Sequence, residues 1–267
     1  MTEVNYLESL NPLQYESVCS TEGPNLIIAG AGTGKTKVLT TRVAHIIDNN
    51  LAFPSQILCV TFTNKAAREM SERVQKLVSQ NMEKMPWMGT FHSIGAKIIR
   101  NHAEVIGLKQ SFTILDKDDQ LSLIKQIIKA ENLDQSQFSP KLIQSKIDHW
   151  KNKALNPNDI KSESLDNLVD EKSLSIYKIY QARLFEINCL DFGDLLLQCI
   201  NLFKVTDIHK RYSNNFKYIH VDEYQDTNAA QYKWLKLLGS HHQNVCCVGD
   251  DDQSIYSWRG AEVDNML

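Results

Sequence analysis

No stretch of this sequence narrows the possible folds as sharply as Ala29-Gly30-Ala31-Gly32-Thr33-Gly34-Lys35-Thr36. It follows the apolar run Leu26–Ile28 and leads into Leu39, Val43, Ile46 and Ile47, an apolar set at helical spacing, so Lys35 and Thr36 open a helix. A glycine-rich loop between a strand and a helix N-terminus lets backbone N–H groups wrap a chain of phosphates. Lys35 is then placed to contact β- and γ-phosphates, and Thr36 to ligate Mg2+. Ala29 stands where the strict pattern has its first glycine, a substitution that a strand end accommodates. The competing reading is a glycine-rich turn with no ligand, and the flanking strand and helix favour the phosphate loop over it.

Three further short apolar runs, Ile57–Val60, Tyr218–Val221 and Val245–Val248, each lead into a polar motif, and Trp87–Phe91 is a weaker candidate of the same kind. Continuous apolar runs of this length read as parallel strands buried on both faces, and their alternation with helical patterns predicts an α/β sheet with helices on both sides. Thr63 is a plausible N-cap for a helix running through Ala66, Met70 and Val74. In such sheets ligands gather beyond the carboxyl ends of the strands, where this sequence puts its unusual polar residues. From about Ile114 to Ile187 the pattern changes to long amphipathic stretches rich in Lys, Gln and Asp, without strand signals. The expected organisation is a motor domain in two parts, 1–113 and 189–267, around an inserted all-helical subdomain at 114–188, with a surface loop within Asn156–Lys172.

Two more elements carry chemistry. In Val221-Asp222-Glu223-Tyr224-Gln225-Asp226 an apolar run ends in adjacent carboxylates. Asp222 can hold the Mg2+ that Thr36 also binds, while Glu223 can act as general base on the attacking water. Alone, such a pair is more often a helix cap or a solvated turn, and its weight comes from accompanying the phosphate loop. The segment Gly249–Ala261 holds Gln253, whose amide can sense a γ-phosphate, together with Tyr256, Trp258 and Arg259. Aromatic faces stack bases of single-stranded DNA with about 1–3 kcal/mol per base. A lone Trp usually belongs to the core, and here the polar neighbours argue against that.

Bulk composition adds exclusions. With 29 Lys and Arg against 32 Asp and Glu, the net charge is -3, so any grip on nucleic acid must come from local patches and stacking. The six cysteines form no C-x-x-C pair and read as reduced, buried thiols, which favours a cytoplasmic protein. No apolar run approaches the ~20 residues of a membrane span, and the start of the sequence has no signal-peptide pattern.

The phosphate loop, the Asp222-Glu223 pair and the Gln253–Arg259 segment, in this order, resemble the signatures of superfamily 1 DNA helicases of the UvrD/PcrA/Rep type. The resemblance implies a RecA-like P-loop NTPase fold, ATP and Mg2+ as cofactors, and an ATP-dependent 3′-to-5′ DNA helicase acting on single-stranded DNA and duplex junctions in DNA repair or replication. Leu10-Asn11-Pro12-Leu13-Gln14 resembles the family's adenine-reading element, with Gln14 on the adenine edge. Thr61–Ala67 and Gly89–Ser93 resemble its single-strand track, which implies DNA contacts for Phe62, Thr63, Asn64, Thr90 and His92. Leu190–Leu195 resembles a further family element at the return from the helical insertion. Lys37 stands where members often carry arginine, so the resemblance gives that residue no role.

The sequence runs to Leu267, shortly after the third motif, without a second motor domain. In the family that domain supplies arginines to the γ-phosphate, and such fingers contribute about 10³–10⁵ in rate in related phosphoryl-transfer enzymes. The expectation is that these 267 residues alone do not unwind DNA. Two alternatives stand beside the helicase motor: a fragment that binds nucleotide and DNA without useful turnover, and part of a RecB-like helicase-nuclease. A small-molecule kinase shares the loop but has no use for Gln225, Gln253, Tyr256 and Trp258.

Overall fold

The structure, a computed structural model, describes residues 6–78, 85–161, 165 and 167–250. In chain order the elements are α1 (Pro12–Cys19), β1 (Asn25–Ile28), α2 (Lys35–Asp48), β2 (Ile57–Thr61), α3 (Asn64–Leu77), β3 (Met88–Thr90), α4 (Phe91–Asn101) and β4 (Thr113–Leu115). They continue with α5 (Lys117–Ala130), α6 (Pro140–Asn152), α7 (Leu168–Glu186), β5 (Cys189–Asp191), α8 (Phe192–Leu202), α9 (Thr206–Asn215), β6 (Tyr218–Val221), α10 (Ala229–Leu238) and β7 (Val245–Gly249). Contacts divide the chain into two units, one of residues 1–94, 205–227 and 235–267, the other of residues 95–204 and 228–234.

The first unit is built on a five-stranded sheet, ordered β1-β7-β6-β2-β3, in which every pairing is parallel. All four apolar runs and the weaker Trp87–Phe91 candidate therefore became strands of one sheet. The inner strands β2 and β6 are buried along their whole length, which is why their sequences are apolar without alternation. Strand β1 lies at an edge and alternates between half-buried and exposed positions. Leu39, Val43 and Ile46 of α2 meet Met70 and Val74 of α3 and Ile57, Cys59, Cys246 and Val248 of the sheet in one core. Full burial contributes about 1.5–3 kcal/mol for each large aliphatic side chain among them. Thr63 caps α3, its side chain accepting from the Ala66 N–H at 3.1 Å.

His220 lies in this core, on β6, in register with Cys59 on one side and Cys246 on the other. Neither ring nitrogen has a hydrogen-bond partner among the described residues. Burial, and then the nearby Arg42 guanidinium, lower its pKa from 6.5 to about 3. Between those values the unfolded chain binds a proton that the folded one refuses, so this residue's contribution to stability falls as pH drops below 6.5. The loss amounts to about 2 kcal/mol between pH 8 and pH 5. Asp222 and Asp194, whose carboxyls are both pushed up to about 6, act in the opposite direction over that range. The measurement is therefore a comparison: the stability of His220→Leu relative to wild type should improve by about 2 kcal/mol from pH 8 to pH 5 in urea titrations. A gap independent of pH would contradict a neutral, desolvated His220.

The second unit gathers α5, α6 and α7 around Ile124, Ile127, Ile128, Ile143, Ile147, Tyr177, Tyr180 and Leu184. Asp116 caps α5 by accepting from the N–H groups of Asp118 and Asp119, and Pro140 opens α6. The stretch expected to lack strands includes most of β4, which pairs in parallel with β5, Thr113 to Cys189 through Leu115 to Asp191. Thr113–Leu115 leads directly into the helical spacing of Lys117–Ala130, so its three residues are not set apart by the sequence pattern. The division by contacts is accordingly wider than the expected 114–188 span, whose limits fall inside and beside this strand pair. Among the described residues no helix is long and apolar enough to cross a membrane, and all six cysteines are free.

Candidate nucleotide site

Strands β1, β7 and β6 are neighbours in the sheet, and their carboxyl ends deliver the phosphate loop, Asp250 and the Asp222-Glu223 pair. This is where an open parallel sheet places a ligand. The loop from Ala29 to Gly34 turns through Gly32 and Gly34, at φ +73° and +90°, values that side chains other than glycine rarely adopt. Thr33 braces the turn by donating its hydroxyl to the Gly30 carbonyl at 2.7 Å. With Gly34 as N-cap and no side-chain cap, α2 leaves the N–H groups of its first turn free for an anion. Gly30 and Ala31 lie in the loop and Thr36 in that first turn.

Lys35 is folded back over the loop. Its ammonium donates to the carbonyls of Ala29 (2.8 Å) and Gly30 (3.2 Å) and pairs with the Asp250 carboxylate at 3.2 Å. Asp250 is almost fully buried, and its backbone N–H donates to Oε1 of Gln225 at 3.0 Å. The Gln225 amide in turn donates from Nε2 to Oε2 of Glu223 at 2.8 Å. A continuous polar chain thus joins Lys35 to Glu223. Glu223 itself has φ +52° and ψ +46°, a left-handed conformation that costs a non-glycine residue about 1–3 kcal/mol and that clusters at functional sites.

Asp222 directly follows β6 with its N–H bonded to the Val60 carbonyl at 3.1 Å, and its side chain accepts from the Glu223 N–H at 3.1 Å. Burial, and then the adjacent Glu223 charge, push its carboxyl up to about 6, against the pull of the Glu223 N–H, Lys35 and Arg73. A buried carboxylate held in that state favours a cation beside it, so the residue fits a metal ligand electrostatically.

Gln14 reaches the loop from α1. Its Nε2 donates to the Thr33 carbonyl at 2.9 Å, while its Oε1 accepts from the Asn11 N–H at 3.1 Å and closes a capping box with Asn11. Lys37 donates to the Ser9 carbonyl, tying the turn before α1 to α2. Both contacts fix α1 against the phosphate loop.

A second group lies at the ends of β2 and β3, which pair Thr61 with Thr90. Phe62, Thr63 and Asn64 follow β2, and Thr90 and His92 bracket the start of α4. The rings of Phe62 and Phe91 meet edge to face at 5.5 Å, and Thr90 and Ser93 exchange hydrogen bonds at 2.9 and 3.2 Å. The structure thus brings these five residues of the expected single-strand track to one end of two adjacent strands. Gln253, Tyr256, Trp258 and Arg259 lie outside the described residues.

With this geometry in place, the comparisons with known proteins agree. The model of the UvrD/REP helicase N-terminal domain matches residues 10–267. The chain belongs to that family. It is 50% identical over 271 residues to DNA helicase II of Rickettsia typhi, covering 100% of this chain and 41% of the relative. It is 49% identical over 262 residues to the ATP-dependent DNA helicase PcrA of Staphylococcus aureus, covering 98% of this chain and 36% of the relative. A probable DNA helicase II homolog of Rickettsia conorii is 48% identical over 270 residues, again with 41% of the relative covered. The chain thus spans about two fifths of the length of the curated relatives it matches.

In this member of the family, three residues of the site, Asp250, Asn11 and Gln225, have no role assigned from sequence. Asp250 lies at the head of an acidic run directly after an apolar strand pattern, a position that could have drawn attention. The Asn11 and Gln14 spacing is that of a capping box and was legible as such. Nothing in the sequence pairs Gln225 with Glu223 and Asp250 together.

Proposed function

We propose that this chain is the ATP-binding and ATP-hydrolysing motor domain of a 3′-to-5′ DNA helicase that works on single-stranded DNA and duplex junctions. The observation that supports it most is the convergence of the phosphate loop, the Asp222-Glu223 pair and Asp250 on three adjacent strand ends, joined by the chain from Lys35 to Glu223. The names of the relatives, DNA helicase II and ATP-dependent DNA helicase PcrA, point the same way. The direction of travel rests on the family resemblance. A role in DNA repair or replication and a cytoplasmic location accompany this reading.

In the proposed reaction the loop N–H groups and Lys35 hold the phosphates, and Lys35 moves from the Asp250 carboxylate to the β- and γ-phosphate oxygens. Glu223 accepts a proton from water as the water oxygen bonds to the γ-phosphorus. The bond from that phosphorus to the β,γ-bridging oxygen breaks, leaving ADP and inorganic phosphate. Thr36 and Asp222 would hold Mg2+, which supplies charge neutralisation on the phosphates. A second motor domain would contribute arginines to the γ-phosphate and a surface for stepping. Phe62, Thr63, Asn64, Thr90 and His92 would line the path of the strand, with Tyr256, Trp258 and Arg259 as a stacking and charge platform and Gln253 linking it to the γ-phosphate.

Binding of a fluorescent ATP analogue tests the first step. Lys35→Ala removes a charge-assisted contact of about 1.5–3 kcal/mol, so affinity should fall by about 10- to 100-fold. ATP hydrolysis stimulated by single-stranded DNA should disappear with it. Unchanged analogue affinity in Lys35→Ala would overturn the proposed site.

A further inference from the structure

We propose that Gln225 is a positioning residue for the general base, its side-chain amide tying the Glu223 carboxylate to the backbone of Asp250 and through it to the Lys35 ion pair. The inference rests on the nucleotide site proposed above and assigns a role that the phosphate loop and the two acids do not cover. Gln225 is 2% exposed and sits in the short 3-10 turn Tyr224–Asp226 beyond β6. Its two hydrogen bonds fix the amide's orientation. A backbone N–H can only donate, so Oε1 must face Asp250; an ionised carboxylate can only accept, so Nε2 must face Glu223. A flipped amide would lose both.

The consequence lies in what the chain connects. Lys35 follows β1, Asp250 follows β7 and Gln225 follows β6, three adjacent strands. An arriving γ-phosphate competes with the Asp250 carboxylate for the Lys35 ammonium, which now lies 3.2 Å from it. The backbone of that same Asp250 is the anchor for the amide that holds Glu223. Occupancy of the phosphate loop therefore reaches the base through one buried side chain. A misplacement of about 1 Å in a catalytic group costs about 10²-fold in rate, so a base that has lost this bond is expected to be slow without any loss of nucleotide binding.

The test measures ATP hydrolysis with saturating single-stranded DNA, and analogue binding, for Gln225→Ala and Gln225→Glu, each alone and combined with Glu223→Ala. Gln225→Glu keeps the shape and the acceptor for the Asp250 N–H, but sets a carboxylate against Glu223, so it remains informative where alanine fails to fold. Both single variants should lose about 10- to 100-fold in kcat, with KM and analogue affinity within about threefold of wild type. On the Glu223→Ala background, single-turnover rates should change by less than about twofold, because the group being positioned is gone. Wild-type kcat in Gln225→Glu, or an equal loss in both backgrounds, would overturn the inference while leaving the nucleotide site standing. Analogue affinity that is unchanged in Lys35→Ala would instead overturn the reading on which it rests.

Discussion

Glu223→Gln should lower ATP turnover by about 10²–10⁴-fold, the usual worth of a general base, while nucleotide affinity stays within about threefold. The two effects separate because different groups carry them. The loop N–H groups and Lys35 grip the phosphates, whereas the Glu223 carboxylate accepts from the Gln225 amide, whose oxygen accepts from the Asp250 N–H. Glutamine keeps the size of the side chain and removes its ability to take a proton. The backbone gives an independent control. At φ +52°, Glu223 occupies a conformation that glycine adopts without strain, so in Glu223→Gly the relief of strain should offset much of the cost of losing the Gln225 bond, while turnover falls at least as far as in Glu223→Gln. Steady-state hydrolysis with single-stranded DNA, analogue binding and thermal melting together decide the matter. A loss of turnover below about tenfold in Glu223→Gln would mean that another group activates the water, and Glu223 would be reduced to orienting it.

The parts of this site that could be read from sequence are those whose physics is local. Gly32 and Gly34 stand where the backbone must take a positive φ, and helical spacing begins one residue later, so strand, loop and helix are specified within the one stretch from Asn25 to Asp48. Strands β2, β6 and β7 are legible because burial on both faces makes their runs almost wholly apolar, His220 being the exception within β6. What escaped is what depends on strand order. Lys35 and Asp250 are 215 residues apart and meet because β1 and β7 are neighbours in the sheet, a fact of topology that no window of sequence contains. Gln225 lies two residues from Glu223 and 25 from Asp250, and its importance arises from bonding both at once. The strands β4 and β5 escaped for a different reason, their three residues each running directly into the helical patterns of α5 and α8. The Leu190–Leu195 motif is an intermediate case. Its residue types stood out in the sequence, and their physical reason appears only beside Lys151 of α6.

That reason yields the largest expected effect on stability. Lys151→Met should destabilise the helical unit by about 3–5 kcal/mol, because it strands two carboxylates in a dry interior. Lys151 is fully buried, with its ammonium 2.7 Å from Asp191 and 2.9 Å from Asp194. Asp191 caps α8 and forms a capping box with Asp194, while the Tyr180 hydroxyl donates to Asp191 at 2.9 Å and Gln181 donates to Asp194 at 3.0 Å. Burial alone would lower the Lys151 pKa, but its two acidic partners outweigh it and the net shift is upward. Asp191 feels burial too, yet its pairing with Lys151 prevails and holds its carboxyl below the ordinary range, whereas burial and the Asp191 charge push Asp194 up to about 6. The lysine stem lies so close over the helix start that a Cβ on Gly193 would stand 2.8 Å from its Cδ, so this position has room for glycine alone. A buried ion cluster is rarely worth more than apolar groups of the same shape, and the large cost comes from removing one charge and leaving the others. The triple replacement Lys151→Met, Asp191→Asn, Asp194→Asn, which keeps an N-cap acceptor at residue 191, should therefore recover most of the loss. Urea unfolding followed by tryptophan fluorescence reads this directly, since Trp150 stacks on Tyr177 at 5.9 Å beside the cluster. A cost below about 1 kcal/mol for Lys151→Met would show that water reaches the carboxylates, and a triple variant no better than the single one would show that the lysine stem, rather than its charge, holds α8 in place.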